Sequence, residues 1–320
     1  MLVFCFGEDQ VALSVLDKRW LLEQFQDRVQ FDEPMSRHTS FKVGGPADAV
    51  VSPESILELA SLVHYCRRNG LPYLVVGDGT NIIVRDQGIR GVVIVLTIGF
   101  NGIDRVEEKD DEVIIRSMAG ARTRSLCRYA IRHALKGMNF ALGIPGTIGG
   151  AIAGNAGTTQ SSMAEVVDAI EVFEPSGNVV RYLKKNLCFS YRRLSWKTAE
   201  LPIILTGYFK LHPTDATQLK KEASEIMKRR LAKQPAGSPC AGCFFKNPSS
   251  GVSAGELIDR AGLKGESVGG AQVSSKHANF IVNTGSATAE DILLLMERIE
   301  KNVFRIFGLH LEPEVKILGY

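Results

Sequence analysis

Two glycine loops are the residues of this chain best suited to chemistry. Gly143 to Gly157 reads GIPGTIGGAIAGNAG, uncharged and carrying one proline. Glycine admits positive φ and lets a ligand approach the backbone with no Cβ in the way. A run of it can turn several N–H groups into one concavity, which suits phosphate or pyrophosphate. The same composition would serve tight turns in a β-rich domain, and by itself it leaves both readings open. The second loop, Gly77-Asp78-Gly79-Thr80-Asn81, sits between two apolar runs. Two such loops, well separated in sequence, point to one large phosphorylated cofactor lying between two lobes. A further candidate is Cys240-Ala241-Gly242-Cys243, whose spacing would suit half a zinc site or a redox pair. No second C-x-x-C and no H-x-x-x-H follows, so a metal is not expected.

The elements that must position these loops follow from periodicity. Residues 12–25 have helical spacing. His38 to Asp48 reads as a short strand running into a Gly-Gly-Pro turn, with strand resuming at Ala49–Val51. Ser52-Pro53 opens a helix with Ile56, Leu59, Ala60 and Val63 inward, ended by Gly70 and Pro72. Tyr73–Val76, Ile82–Val84 and Val92–Leu96 are strands. The GDGTN loop leads into a strand, whereas a Rossmann fingerprint opens a helix, so that reading is disfavoured. Val113–Ser117 is a strand and Thr123–Leu135 a helix with Leu126, Cys127, Ala130 and Ile131 inward. Residues 169–174 and 178–183 form a hairpin, and Ile203–Leu211 is a strand. Thr214-Asp215 caps a helix reaching Lys233, and Ser253–Ala261 is another helix. Phe280–Asn283 is a strand. A capping-box start, Thr288 with Asp291, opens a last helix with Ile292, Leu295, Ile299 and Val303 inward, closed by Gly308. Leu311–Val315 returns as a final strand. The division expected is 1–34 as an N-terminal extension, 35–100 and 101–214 as two lobes, and 215–320 as a third domain.

Composition narrows the class. The chain has 320 residues, 45% hydrophobic and 23% charged, the balance of a globular protein with ample core. A formal net charge of +3 gives no argument for nucleic acid, and no Lys/Arg stripe interleaves with aromatics. The run Lys228–Arg230 reads as a solvated face. No apolar run approaches a membrane span. The start, MLVFCFGEDQ, lacks a basic leader and a small-residue cleavage site, and Glu8 and Asp9 interrupt it, so it reads as cytoplasmic. Cys66 and Cys127 fall at apolar helix positions and read as inert core. No disulfide framework is evident, which makes a reducing compartment the default.

Taken together the motifs stop being independent. HTSFKVGGPAD (38–48), GDGTNIIV (77–84), GIPGTIGGAIAGNAG (143–157), YRRLS (191–195), AGCFFKNP (241–248), AGELIDRAGLKG (254–265) and LEPEVKILG (311–319) occur in this order. The chain thereby resembles the bacterial UDP-N-acetylenolpyruvoylglucosamine reductases, the MurB family, over nearly its whole length from His38. The resemblance implies a mixed α/β (α+β) fold, with a two-lobed FAD-binding domain of the vanillyl-alcohol-oxidase (PCMH) type and a C-terminal α/β substrate domain. It implies noncovalent FAD, NADPH as cosubstrate and a UDP-sugar substrate. It also implies the reaction: NADPH reduces FAD, and hydride passes to the enolpyruvyl ether of UDP-N-acetylglucosamine, giving UDP-N-acetylmuramic acid for peptidoglycan. No nucleic acid, membrane insertion or obligatory protein partner is implied.

The family uses an arginine, a glutamate and a serine proton donor. By motif match these fall on Arg192, Glu314 and Cys243. Hydride addition to the vinyl carbon drives negative charge into the neighbouring carboxylate, which needs a cation and then an acid for the α-carbon. A guanidinium pairs with a carboxylate through two hydrogen bonds and keeps its charge. Cys243 stands where the family usually has Ser, and a thiol, at about 8.5, is a far stronger acid than an alcohol. For substrate, Tyr191, Lys233, Asn247 and His277 match family positions. For FAD the matching residues are Val43, Gly44, Gly45, Pro46, Gly77, Asp78, Gly79, Thr80, Asn81, Ile82, Ala119, Gly120, Gly143, Pro145, Gly146, Thr147, Gly149, Gly150, Asn155 and Gly157. After Gly157 many relatives carry a Tyr lid. Here Thr158–Met163 has none, which places the chain with the subgroup lacking it. Two other readings are weighed: another FAD oxidoreductase on the same fold, of the alcohol or lactone oxidase type, and a nucleotide-binding module without turnover.

Overall fold

The computed structural model describes residues 4–5, 12–196, 200–235, 237–249 and 251–320. Glu8 and Asp9, which bear on the reading of the chain start, lie outside the described residues. The rest divides into two compact units. One takes residues up to Phe31, Asp48–Asp78 and Arg90–Lys228; the other takes Asp32–Ala47, Gly79–Ile89 and Arg229–Tyr320. The two short insertions of the second unit are the HTSFKVGG and GTNIIV motifs.

In the first unit, helix Val15–Phe25 starts at Ser14, whose hydroxyl accepts the Asp17 N–H while Asp17 accepts back at the Ser14 N–H. That capping box trims the expected 12–25 span. Helix Ile56–Arg68 is capped by Ser55 and not by Ser52 as expected. The Ser52 N–H is spent on the Arg28 carbonyl, and the Glu54 N–H donates to the Glu58 carboxylate, which itself pairs with Arg28. These bonds hold the Ser52–Glu54 backbone outside the helix. The buried face is accordingly Leu59, Leu62, Val63 and Cys66, with Ile56 40% exposed. The helix stops as read: Gly70 takes φ +67°, and Leu71 N–H reaches back to Cys66 O, a Schellman closure. A five-stranded sheet runs in the order Phe4–Cys5, Tyr73–Val76, Ile89–Val95, Pro46–Val51, Val29–Pro34. Tyr73–Val76 and Ile89–Val95 are parallel and apolar, as strands covered on both faces are.

The other sheet of this unit is antiparallel, in the order Val179–Leu183, Val167–Phe173, Ile203–Pro213, Glu112–Met118, Ile103–Lys109. The expected hairpin appears with Phe173 opposite Val179 and Gly177 at φ +91° in its turn. Helix Thr123–Arg132 ends earlier than expected, because Ala134 adopts φ +54° and Leu135–Lys136 pairs as a strand with Pro213 and His212. Leu126, Cys127 and Ala130 are buried as read, within the core that also takes Ile148, Ile152 and Phe209. The glycine-dense stretch is not all loop: Ile148–Ala153 is a short helix capped by Thr147.

In the second unit no strand forms over His38–Val43. Thr39 Oγ1 donates to the Val43 carbonyl at 2.8 Å and Lys42 N–H to Thr39 O, folding the segment onto itself, and pairing begins only at Pro46. Helices Ala254–Arg260 and Ala289–Phe307 start at Ser253 and Thr288, the latter with its capping box. Ile292, Leu295, Ile299 and Val303 are wholly buried, and Gly308 closes the helix at φ +68°. Helix Ala216–Lys233 belongs to the first unit up to Lys228, where it buries Leu219 and Ala223, and to the second from Arg229, where Leu231 is 55% exposed. Ser267–Val268, Ala271–Val273 and Ile281–Asn283 form a small sheet. Leu311–Val315 is not the final strand. Pro313 makes one isolated bridge with Phe245, and regular pairing waits for Lys316–Leu318, parallel to Ile82–Val84, since proline has no N–H for a ladder. No helix among the described residues is long and apolar enough to cross a membrane.

Candidate active site

In the first unit the glycine motifs meet around a small cleft open to solvent. Gly77, Ala119, Gly120, Thr147, Gly149 and Gly150 line it, with Val75, Val76 and Leu96 beside them. The glycines are needed for close approach. A Cβ at Gly77 would lie 2.3 Å from Thr147 Oγ1, and one at Gly120 would lie 2.0 Å from the Leu96 carbonyl. The cradle is narrower than the sequence implied. The amides of Ile148, Gly149 and Ala151 donate to Ala121 O, Ala119 O and Thr147 O, and the Gly150 amide to Thr147 Oγ1. These amides fix the helix to the wall and are spent. Gly146 gives its carbonyl to Thr123 N–H, and Gly143 and Gly146 take φ +76° and +113°, while Gly143 and Pro145 are exposed. Asp78 pairs with Arg122, whose Nε is 3.2 Å from its Oδ2. Sequence reasoning passed over Arg122, since nothing near it in the chain marks it.

Arg192 sits at the tip of the hairpin Cys188–Ser190 and Arg193–Ser195, in a two-residue turn with φ +58°. Its Nη1 donates to the Gly157 carbonyl at 3.0 Å. Asn155, read as a cofactor residue, has both ends of its amide engaged by protein: Nδ2 donates to Ser190 O at 2.9 Å and Oδ1 accepts Ala164 N–H at 3.0 Å. It ties the glycine stretch to the hairpin that carries Arg192. Tyr191 is 58% exposed, its ring centroid 5.5 Å from the Arg192 guanidinium carbon. Thr158 N–H donates to Ser161 O, closing the segment after Gly157 into a tight turn.

The second unit joins its two short motifs to the C-terminal ones. Gly79 (φ +60°) brings its Cα so near the His38 carbonyl that a Cβ would stand 1.9 Å from the oxygen, and a Cβ at Gly45 would stand 2.0 Å from Asp86 O. Val43 is a core side chain, and Gly44 and Gly45 accept from Ser36 and Met35. Phe244 and Phe245 are held by Asn279, which accepts both amides through its carbonyl and Oδ1 and donates to Phe245 O. The Glu314 amide then donates to Phe244 O, and Lys246 N–H to Glu312 O. Phe244–Lys246, the segment that follows Cys243, thereby runs antiparallel beside Glu312–Glu314. Asn81 donates to Glu314 O at 3.1 Å and accepts Lys316 N–H. Ser40 Oγ donates to Cys240 O at 2.7 Å. Burial pushes the Cys240 thiol up, against a Gly242 N–H that pulls it the other way.

Of the expected substrate residues, Asn247 caps helix Ala254–Arg260, its Oδ1 accepting Ala254 N–H. His277 is half-buried with Nδ1 accepting Asn279 N–H, which leaves the ring proton on Nε2. Burial first and Lys264 second hold its imidazole below the usual histidine range. Lys233 is exposed at its helix end, and Lys276 Nζ caps Leu231 O nearby.

Known proteins with this sequence pattern decide the family. Residues 234–318 match the family described as the UDP-N-acetylenolpyruvoylglucosamine reductase C-terminal domain, and residues 47–182 match the FAD binding domain. A UDP-N-acetylenolpyruvoylglucosamine reductase of Desulfosudis oleivorans is 48% identical over 307 residues, covering 94% of this chain and 98% of that one. Another, of Caldanaerobacter subterraneus, is 43% identical over 294 residues, covering 92% and 95%. The chain belongs to the UDP-N-acetylenolpyruvoylglucosamine reductase family. The crystal structure of the MurB reductase from Thermus caldophilus superposes with a TM-score of 0.77 at 35% identity, over 91% of this chain and 99% of that one.

Family membership makes this an FAD-dependent oxidoreductase on the expected vanillyl-alcohol-oxidase type of fold. The cleft of the first unit fits such a cofactor. Its walls are apolar side chains and glycine Cα atoms, and the glycines let neighbouring backbone and side chains pack where Cβ atoms would stand. Thr147, on its rim, is buried and already committed to Gly150, so it shapes the wall. The reductase family's own C-terminal domain is matched over 234–318 and the relatives carry the reductase name, which supports that reading and not the alcohol or lactone oxidase alternative.

Proposed function

We propose that this chain is a cytoplasmic reductase that uses NADPH and noncovalent FAD to convert UDP-N-acetylenolpyruvoylglucosamine to UDP-N-acetylmuramic acid for peptidoglycan. When bound, FAD supplies the hydride, taken from NADPH and given to the vinyl carbon. Gly77, Gly120, Thr147, Gly149 and Gly150 of the first unit hold the cofactor. In functional terms residues 35–100 and 101–214 are the cofactor lobes and 215–320 the substrate domain.

Arg192 pairs with the substrate carboxylate and takes up the charge that hydride addition sends there. Its guanidinium is positioned beforehand by Gly157 O and its hairpin by the Asn155 bond to Ser190 O, so little ordering is left for the reaction. Cys243 gives its thiol proton to the α-carbon, and Glu314 on the neighbouring backbone orients the donor and bonds the developing enediolate. Tyr191, Lys233, Asn247 and His277 contact the sugar nucleotide, His277 as a neutral Nε2–H donor. The observation that carries this reading is the backbone pairing of the Cys243 segment with Glu312–Glu314, pinned by Asn279.

Purified protein should show oxidised-flavin absorbance, bleach anaerobically with NADPH, and recover with the enolpyruvyl sugar nucleotide but not with simple alcohols. Cys243→Ala should still bleach and then fail to recover, while Cys243→Ser keeps a substantial rate. Normal turnover by Cys243→Ala would remove the thiol from the mechanism.

A further inference from the structure

We propose that Arg122 is a phosphate ligand of the flavin cofactor, held ready for it by Asp78; this rests on the FAD reading of the cleft. Arg122 follows Gly120 and Ala121 and forms an isolated antiparallel bridge with Thr147. Gly120 and Thr147 are both cleft wall. The next residue, Thr123, donates its N–H to Gly146 O at 2.9 Å. From that position the guanidinium reaches the other glycine loop, where Nε lies 3.2 Å from Asp78 Oδ2, one residue after Gly77 of the same wall. Arg122 thus spans the two loops whose glycines frame the cleft.

Only the Nε edge of Arg122 is engaged among the described residues, and its side chain is 51% exposed. The two terminal amino groups have no protein acceptor there. They form the face of a guanidinium that grips a phosphate through parallel N–H donors. The carboxylate beside it has the opposite tendency. Asp78 alone, at the edge of a cleft meant for a diphosphate, would repel it, and Arg122 neutralises that charge while Asp78 fixes the side chain's rotamer. A rival role is a latch that merely joins the loops.

Titration of apo-protein with FAD and with riboflavin, which lacks phosphate, separates the two. Arg122→Gln should weaken FAD about 10- to 100-fold, as expected for loss of hydrogen bonds to a charged group, leave riboflavin affinity within about twofold, and flatten the salt dependence of FAD binding. Arg122→Lys should recover part of the loss. Asp78→Asn should bind FAD as well as wild type or better, since the guanidinium is released to the phosphate. A latch predicts instead that Asp78→Asn weakens FAD as much as Arg122→Gln, or that FAD and riboflavin weaken together; either result overturns the assignment. Wild-type affinity of Arg122→Gln for FAD overturns it too while sparing the cofactor reading. Wild-type protein that takes up neither flavin overturns both.

Discussion

Gly77 and Thr147 offer a direct test of how the cleft wall is built. Gly77 lies outside the left-handed region, so alanine there meets no backbone strain. Its Cβ would nevertheless stand 2.3 Å from Thr147 Oγ1, 3.1 Å from Cγ2 and 3.2 Å from Cβ. Thr147 is 3% exposed and cannot swing aside. Gly77→Ala should therefore cost about 1–3 kcal/mol as overpacking. Thr147→Ala removes a cap to Gly150 N–H that is long at 3.4 Å, so its cost falls toward the lower part of the usual range, about 1 kcal/mol. The double variant loses the clashing Oγ1 and Cγ2 and keeps one Cβ contact that a shift of a few tenths of an ångström relieves. It should cost about as much as Thr147→Ala alone, a favourable coupling of about 1–3 kcal/mol. In a unit of this size each kcal/mol moves the melting temperature by about 2–4 °C, so the rescue is visible in a thermal melt and again in FAD affinity. Gly120→Ala is the control, because its Cβ meets the Leu96 and Phe100 carbonyls and no side-chain truncation can make room. A double variant that melts lower than Gly77→Ala would refute the reasoning.

Other expectations follow from single contacts. Asn155→Gly keeps the permitted φ of +40° but drops the bonds to Ser190 and Ala164; it should cost about 1–3 kcal/mol in urea unfolding and raise KM by loosening the Arg192 hairpin. Asp86 accepts Ala289 N–H and Glu290 N–H at 2.9 and 3.0 Å, so Asp86→Ala should cost about 1–2 kcal/mol and Asp86→Asn less, read by urea unfolding of the second unit. Burial, and then the hydrogen bond to Asp17, push the Tyr65 phenol up to about 12. Burial works to raise Asp17, yet the bonds from Ser14 and Tyr65 outweigh it and hold the carboxyl below its ordinary value. The Tyr65 contribution is full below about pH 10 and disappears as pH rises through the folded value; the Asp17 contribution is full above its ordinary value near 4 and disappears as pH falls. Tyr65→Phe should therefore flatten the alkaline limb of a melting-temperature profile, and an unchanged limb would count against the pair.

What the sequence made legible was what short-range chemistry decides. The Thr288–Asp291 box and the stripe Ile292, Leu295, Ile299, Val303 need only the residues themselves, and they appear where read. The start of helix Ile56–Arg68 did not, although Ser52-Pro53 is the better local signal. Arg28, far upstream, claims both Ser52 and Glu58 and moves the start to Ser55. Thr39 similarly folds the His38–Val43 segment away from strand geometry by a bond to Val43 O. In both places a side chain distant in sequence or folded back on its own backbone outweighed intrinsic propensity.

The site shows the same division one level up. Glycines announce themselves in any sequence, and Gly77, Gly120 and Gly149, where a Cβ would clash, meet at one cleft. Arg192, Cys243 and Glu314 are proposed through the family pattern alone, because a lone Arg, Cys or Glu has no local mark of function. Arg122, Asp86 and Asn279 were not legible at all, since each acts on a partner far along the chain. Asn81 shows why the motifs must travel together. It ends the cofactor-type loop, yet it donates to Glu314 O and accepts Lys316 N–H, and the strands Ile82–Val84 and Lys316–Leu318 pair directly beyond it. A slip of one residue in that pairing would turn Ile82 and Ile83 out of register and carry Glu314 away from Phe244 O in the same movement. The end of the GDGTN loop and the Glu314–Leu318 segment are therefore one construction, and neither can be retuned without the other.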